Sequence, residues 1–189
     1  MHIGNVSYDG PPESTNTRTT VVNRADLQQQ LEELHPVSFA WALGLCARNE
    51  DDAQEVLQET YLKIFEGKAR FDGRSTLKTW LFAVIRRTAA ARRRLRWLRD
   101  LRFVHDDVSY VADGKDSAER RVIYSERASA LVRALGGLAR RQREVIELVF
   151  YHDMTIEEAA AVVGVSLGTA RVHYHRAKHR LFNELKGQL

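Results

Sequence analysis

The stretch from residue 155 to residue 185, TIEEAAAVVGVSLGTARVHYHRAKHRLFNEL, decides how this chain folds. Thr155 and Glu158 have the spacing of a capping box, in which the Thr hydroxyl takes a free backbone N–H of the first turn and the Glu reaches back to the cap. A helix is therefore expected from about Ile156. Its apolar positions Ile156, Ala159, Ala160 and Val163 share one face, and Gly164 stands where a left-handed residue ends a helix. Val165 fills the angle, and Ser166 caps a second helix in which Leu167, Ala170, Tyr174, Ala177, Leu181 and Leu185 recur on one side. Arg171, His175 and Lys178 lie on the other. Two short helices joined by a tight turn, the second apolar towards the protein and cationic away from it, make a helix-turn-helix. That geometry enters a major groove, where Arg pairs with guanine and other donors reach phosphates. A merely solvated charged face does not account for both caps, the tight turn and the short first helix occurring together. His173, His175 and His179 read as further donors near phosphates, since a metal site would need a cluster of partners that the sequence does not display.

Working outward, 189 residues of which 44% are hydrophobic can build one medium core or two small ones. The formal net charge of +4 suits a polyanionic partner, but the excess is modest, so its distribution matters more than its total. Cys46 is alone, sits in an apolar helical run, and reads as a small core residue of a protein in a reducing cytoplasm. No apolar run reaches membrane-spanning length and the first residues lack the hydrophobic segment of a signal peptide, so neither membrane insertion nor export is expected.

Residues 1–24 are polar and rich in Gly, Pro, Ser and Thr, and read as a flexible tail. Helix dominates from Asp26. Leu27, Leu31 and Leu34 form a stripe, Pro36 a break, and Phe39 to Leu45 a buried helical segment. Asp51 and Asp52 open a helix to about Phe65, with Ala53, Val56, Leu57, Tyr61 and Ile64 inside and Glu55, Gln58 and Glu59 on an acidic, amide-rich outer face. After a turn-rich connection, Ser75 is the expected cap of a long helix carrying Leu77, Trp80, Leu81, Val84 and Ile85. No useful length alternates with the two-residue period of a strand, so the fold class is all-α.

That long helix runs into RRTAAARRRLRWLRDLR, residues 86–102, the densest positive charge in the chain. Such a segment is expected to lie on phosphates or on an acidic protein partner. Trp80 reads equally as core, from its place on the apolar stripe, and as a ring beside cations that holds an unstacked base. The sign then reverses in a stretch with Asp106, Asp107, Asp113, Asp116 and Glu119, the expected linker. Helix resumes near Ser117 and ends at Gly136 and Gly137, and another follows from Arg140 to Tyr151 with Val145, Ile146, Leu148 and Val149 inside. The expectation is two small helical domains, residues 25–99 and 125–189, tied by an acidic linker over 100–124, so that two DNA segments could be held at once.

Two stretches carry a family resemblance. Residues 51–97, DDAQEVLQETYLKIFEGKARFDGRSTLKTWLFAVIRRTAAARRRLRW, resemble region 2 of the sigma-70 family in its short extracytoplasmic-function (ECF) subfamily, and residues 138–185 resemble its region 4. The resemblance implies a dissociable subunit of bacterial RNA polymerase with no chemistry and no cofactor of its own. Region 2 would melt and read the -10 promoter element and region 4 would read the -35 element. It places Glu55, Gln58 and Glu59 against the clamp coiled coil of the largest polymerase subunit, with region 4 near the flap of the second-largest. It places Ser166, Thr169, Arg171, His175, Arg176 and Lys178 on the -35 DNA. Trp80 matches an aromatic of the melting region, and Arg86, Arg87 and Thr88 match the start of a loop that captures a flipped base. Arg87 stands where many members carry Asn. The family also implies an anti-sigma factor as a partner. Two other classes fit less well: a helix-turn-helix regulator would need a sensor domain ahead of the motif, and a recombinase an α/β catalytic domain with a nucleophilic Ser.

Overall fold

The computed structural model describes residues 24–103 and 126–186. The expected tail and most of the expected linker lie outside them. The described residues form helices only: α1 (Arg24–Glu33), α2 (His35–Leu45), α3 (Glu50–Phe65), α4 (Leu77–Phe103), α5 (Glu126–Gly136), α6 (Arg140–Phe150), α7 (Ile156–Val163) and α8 (Leu167–Leu185). Pro36 does not break a helix but starts one, in the first turn of α2, where its missing N–H costs nothing. Ala47 and Arg48 take positive φ at the corner that follows, and Asn49 caps α3 by accepting from the Asp52 amide at 2.9 Å. The acids Glu50, Asp51 and Asp52 then sit at the positive end of the helix dipole. The cap of α4 is Thr76, whose hydroxyl accepts from the Thr79 amide at 3.1 Å, rather than Ser75. The α4 helix also runs on to Phe103, past the expected boundary at residue 99, because no Gly or Pro interrupts it.

The two halves of the chain share one core. Trp41, Val56, Leu57, Leu81, Phe82 and Ile85 from α2 to α4 belong to the same apolar cluster as Val145, Leu148, Met154, Ala159 and Val162 from the second half. A smaller cluster of Leu138, Ile146 and Ala177 joins α6 to α8. The reason is legible in α4, where LFAVI over residues 81–85 is apolar all round and therefore needs cover on more than one side. Phe82, absent from the amphipathic stripe read from the sequence, faces the second half and is 0% exposed. Its ring stacks on Trp41 at 5.8 Å, and the Trp41 indole donates to its carbonyl at 3.1 Å. Burial of these two side chains stabilises the packed state by about 1.5 to 3 kcal/mol each.

Candidate nucleic-acid interface

The helix-turn-helix forms as its residues dictate. Thr155 accepts from the Glu158 amide at 3.1 Å while the Glu158 carboxylate accepts from the Thr155 amide at 2.9 Å, completing the capping box. Gly164 ends α7 at φ +70°, a conformation in which a Cβ would be strained. Ser166 caps α8 by accepting from the Thr169 amide at 3.2 Å, and the two hydroxyls lie 2.9 Å apart. Ala170 and Ala177 are wholly buried, so the opposite face of α8 points to solvent. Arg171, His175, Arg176 and Lys178 stand there, all exposed. Among the described residues Arg171, Arg176 and Lys178 have no hydrogen-bond or ion-pair partner; farther along the same helix Arg180 is paired with Glu184 at 2.9 Å. His175, Arg176, Lys178, His179 and Phe182 line an open depression along this face.

The basic run of α4 is arranged differently. Its counter-charge comes from the chain itself: Arg92 pairs with Glu55 and, at 3.3 Å, with Glu59, and Arg96 pairs with both carboxylate oxygens of Asp52. Lys63 adds a contact to Glu59 at 2.7 Å. Burial would raise the Glu59 pKa, but hydrogen bonds from Lys63 and Arg92 hold it below its ordinary value, and the bond from Arg96 lowers Asp52 likewise. The acidic outer face of α3 is thus part of an ion network, with Gln58 exposed beside it.

Of the four residues assigned to base capture, the structure brings two to the surface. Trp80 is half-buried with its ring 5.5 Å from Phe71, and Arg87 is exposed. Thr88 is 2% exposed and its hydroxyl accepts from Lys63 at 3.3 Å. Arg86 turns into the second half of the chain, where its Nε donates to Glu144 at 2.9 Å. Residues 86–88 lie in mid-helix rather than at the start of a loop, because Ala89, Ala90 and Ala91 continue the helix without strain.

The contact between the halves carries further polar groups that sequence reasoning did not single out. Glu144 is 3% exposed and also accepts from Arg140 at 2.8 Å. His152, 2% exposed, stands edge-on to Phe82 at 4.9 Å and Trp41 at 5.7 Å, and its carbonyl accepts from Lys78. Neither ring nitrogen of His152 has a partner; burial, helped by the charge of Lys78, lowers its pKa to about 4. The Glu147 carboxyl lies against Gly44 of α2, where burial raises it to about 7 despite Arg48 and Arg143 nearby.

Residues 31–99 match the family model for sigma-70 region 2, and residues 128–181 match that for sigma-70 region 4. The chain belongs to the ECF sigma factors of the sigma-70 family. It is 30% identical to the ECF RNA polymerase sigma factor SigF of Caulobacter vibrioides over 71% of this chain and 72% of that one. It is 34% identical to the RNA polymerase sigma-E factor of Streptomyces avermitilis over 72% and 73%. Its fold superposes on that of the sigma factor RpoE from Bartonella quintana, solved in complex with the anti-sigma factor NepR, with a TM-score of 0.67 at 28% identity, covering 85% of this chain and 97% of that one. Sigma factors bind core RNA polymerase and direct transcription initiation, and members of this family are not enzymes. No helix among the described residues of this sigma factor is long and apolar enough to cross a membrane.

Proposed function

We propose that this sigma factor reads the -35 element with α8 and the -10 element with α4, and holds polymerase through α3. The observation that carries the reading is the outer face of α8, where Arg171, Arg176 and Lys178 are exposed without an internal counter-charge and so keep their full attraction for phosphates and guanine edges. Ser166 and Thr169 fix the start of that helix and stand close to where the DNA backbone would pass. In α4, Trp80 and Arg87 supply a ring and a cation for an unstacked base, Arg86 a second cation once it leaves Glu144, and Thr88 positions Lys63 rather than touching DNA.

Glu55, Gln58 and Glu59 suit a basic surface on the clamp coiled coil of the largest polymerase subunit, since phosphates would repel them. The sigma factor works in the cytoplasm, region 4 approaches the flap of the second-largest subunit, and an anti-sigma factor is the expected antagonist, as for the relative solved with NepR. Region 2 spans residues 25–99 and region 4 residues 125–189.

Core polymerase supplemented with the protein should initiate at promoters that core alone ignores. Replacing Glu55, Gln58 and Glu59 together with Ala should lower capture of core in a pull-down while leaving duplex binding intact. Undiminished capture by that triple variant would remove the polymerase assignment.

A further inference from the structure

We propose that the depression on the outer face of α8 is a protonation-dependent phosphate seat, in which His175 and His179 hold the DNA backbone as imidazolium ions, so that duplex binding tightens as pH falls. This rests on the assignment of α8 to the -35 element. It adds His179 and Phe182 to that surface, and a pH dependence that arginine cannot supply.

The two histidines are four residues apart, so they share one face of the helix with their Cβ atoms about 5 to 6 Å apart, a gap that a single phosphate bridges. Both are exposed, and Arg176, Lys178 and Phe182 complete the depression. Lys186 lies over the Phe182 ring at 5.9 Å, so the far end combines positive charge with an apolar wall, which focuses the field on an anion. His179 can be held in either protonation state. Asn183 lies 3.3 Å from its Nδ1 with the amide nitrogen towards it, which leaves Nε2 as the donor of the neutral ring; turning that amide over gives the imidazolium an acceptor. His175 meets the ring of Tyr174 edge-on at 5.6 Å.

Among the described residues no carboxylate competes with phosphate for these rings. Glu184 is the one acid of α8, and Arg180 holds it at 2.9 Å. The helices packed on α8 meet its opposite face, where Ala170 and Ala177 are buried. Of the acids of α6 and α7, Glu144 is bound by Arg86 and Arg140, Glu147 lies against Gly44, Glu158 is engaged in the capping box, and Glu157, exposed, pairs with neither ring. Arg133 of α5 and Arg141 and Arg143 of α6 form no hydrogen bond to either ring. An arriving phosphate therefore supplies the negative charge that the seat lacks. Imidazole is the side chain whose charge changes between about pH 5 and 8, so proton and phosphate each favour the binding of the other.

Full-length wild type is compared with two double variants, His175→Gln with His179→Gln and His175→Arg with His179→Arg. Anisotropy with a random-sequence duplex is read at about pH 6 and about pH 8, over a range of salt and with a chelator present. Wild type should bind at least about fivefold more tightly at the lower pH, with a salt slope steeper there by about 0.9, as for one added phosphate contact. The Gln variant should change less than about twofold between the two conditions. The Arg variant should be as indifferent to pH but bind more tightly than the Gln variant in both. His35, His152 and the half-buried His173 remain in all three proteins, so their responses cancel in the comparison. Circular dichroism at both pH values checks folding, and if the Gln variant loses helical signal the Arg variant decides. A wild type whose affinity ignores pH, or a substituted protein that keeps the wild-type response, overturns the proposal and leaves α8 on DNA. A wild type that binds no duplex at either pH overturns the assignment of α8 itself.

Discussion

Helices α8 and α4 are both long, amphipathic and rich in arginine, yet several of their cations are placed oppositely. On α8, Arg171, Arg176 and Lys178 face solvent with no acid within reach among the described residues. On α4, Arg92 and Arg96 are met by Glu55, Glu59 and Asp52 of α3, and Arg86 by Glu144 of α6. A run of positive charge in a sequence therefore measures the field that must be balanced, not the field available to a partner. Which of the two it becomes depends on neighbours distant in sequence.

The contrast breaks most visibly at Arg86. Arg86→Ala leaves Glu144 buried with Arg140 alone, and should cost about 3 to 5 kcal/mol of stability, whereas Arg171→Ala should leave thermal melting unchanged. Equal melting of the two variants would show that Arg86 is as solvated as Arg171, and the distinction between the helices would fall.

A second comparison lies within α6, where Glu144 accepts from two arginines and Glu147, one turn on, sits against Gly44 without such support. Burial raises Glu147 from its ordinary 4.5 to about 7. Between those values the packed protein holds a proton that the unfolded chain has released, so the stability from this group is full below about pH 4.5 and is lost as pH rises through 7. Glu147→Gln is neutral throughout, and should be more stable than wild type at pH 8 by up to about 3 kcal/mol, with the difference vanishing near pH 4.5. His152, lowered to about 4, works in the opposite sense, losing stability as pH falls from 6.5 towards 4, but it is common to both proteins and cancels in the difference. A gap between variant and wild type that does not change with pH would mean that Glu147 is not shielded by the packing of the two halves.

On the DNA side, Arg171→Ala and Arg176→Ala should each weaken binding to a duplex carrying the -35 element by about 1 to 3 kcal/mol, the larger value belonging to a residue that reads a base. Melting should not move. If binding of that duplex is unchanged in both variants, α8 is not the reading helix.

The helix-turn-helix was legible in the sequence almost residue by residue, because its signals are local: Thr155 and Glu158, Gly164 and Ser166 act within one turn of themselves. The first helices were legible in pattern but displaced in detail, since Asn49 and Thr76 compete with equally plausible caps nearby. The packing of the two halves was not legible from the stripe alone, because Phe82 lies off it and its partner His152 is seventy positions away. The continuous apolar run at 81–85 was the available signal. Arg86 and Thr88 were assigned to DNA by position in a motif, and only the placement of Glu144 and Lys63 shows what else they do.

The smallest expected effect separates two arginines two positions apart. Arg92 is 31% exposed and bound to Glu55 and Glu59, while Arg94 is exposed on the same helix. Pairs this open are worth less than about 1 kcal/mol, so Arg92→Ala should lower stability slightly, and less so in high salt. Arg94→Ala should leave stability alone. In DNA binding the order reverses. A cation that already has two carboxylates releases few counterions from phosphate, so Arg92→Ala should hardly change the dependence of affinity on salt. Arg94→Ala should make the slope shallower by about 0.7 to 0.9 if it makes one phosphate contact. Should Arg92→Ala flatten the slope as much as Arg94→Ala, then α3 releases its arginine when DNA arrives, and the acids at Glu55 and Glu59 act as a placeholder for phosphate.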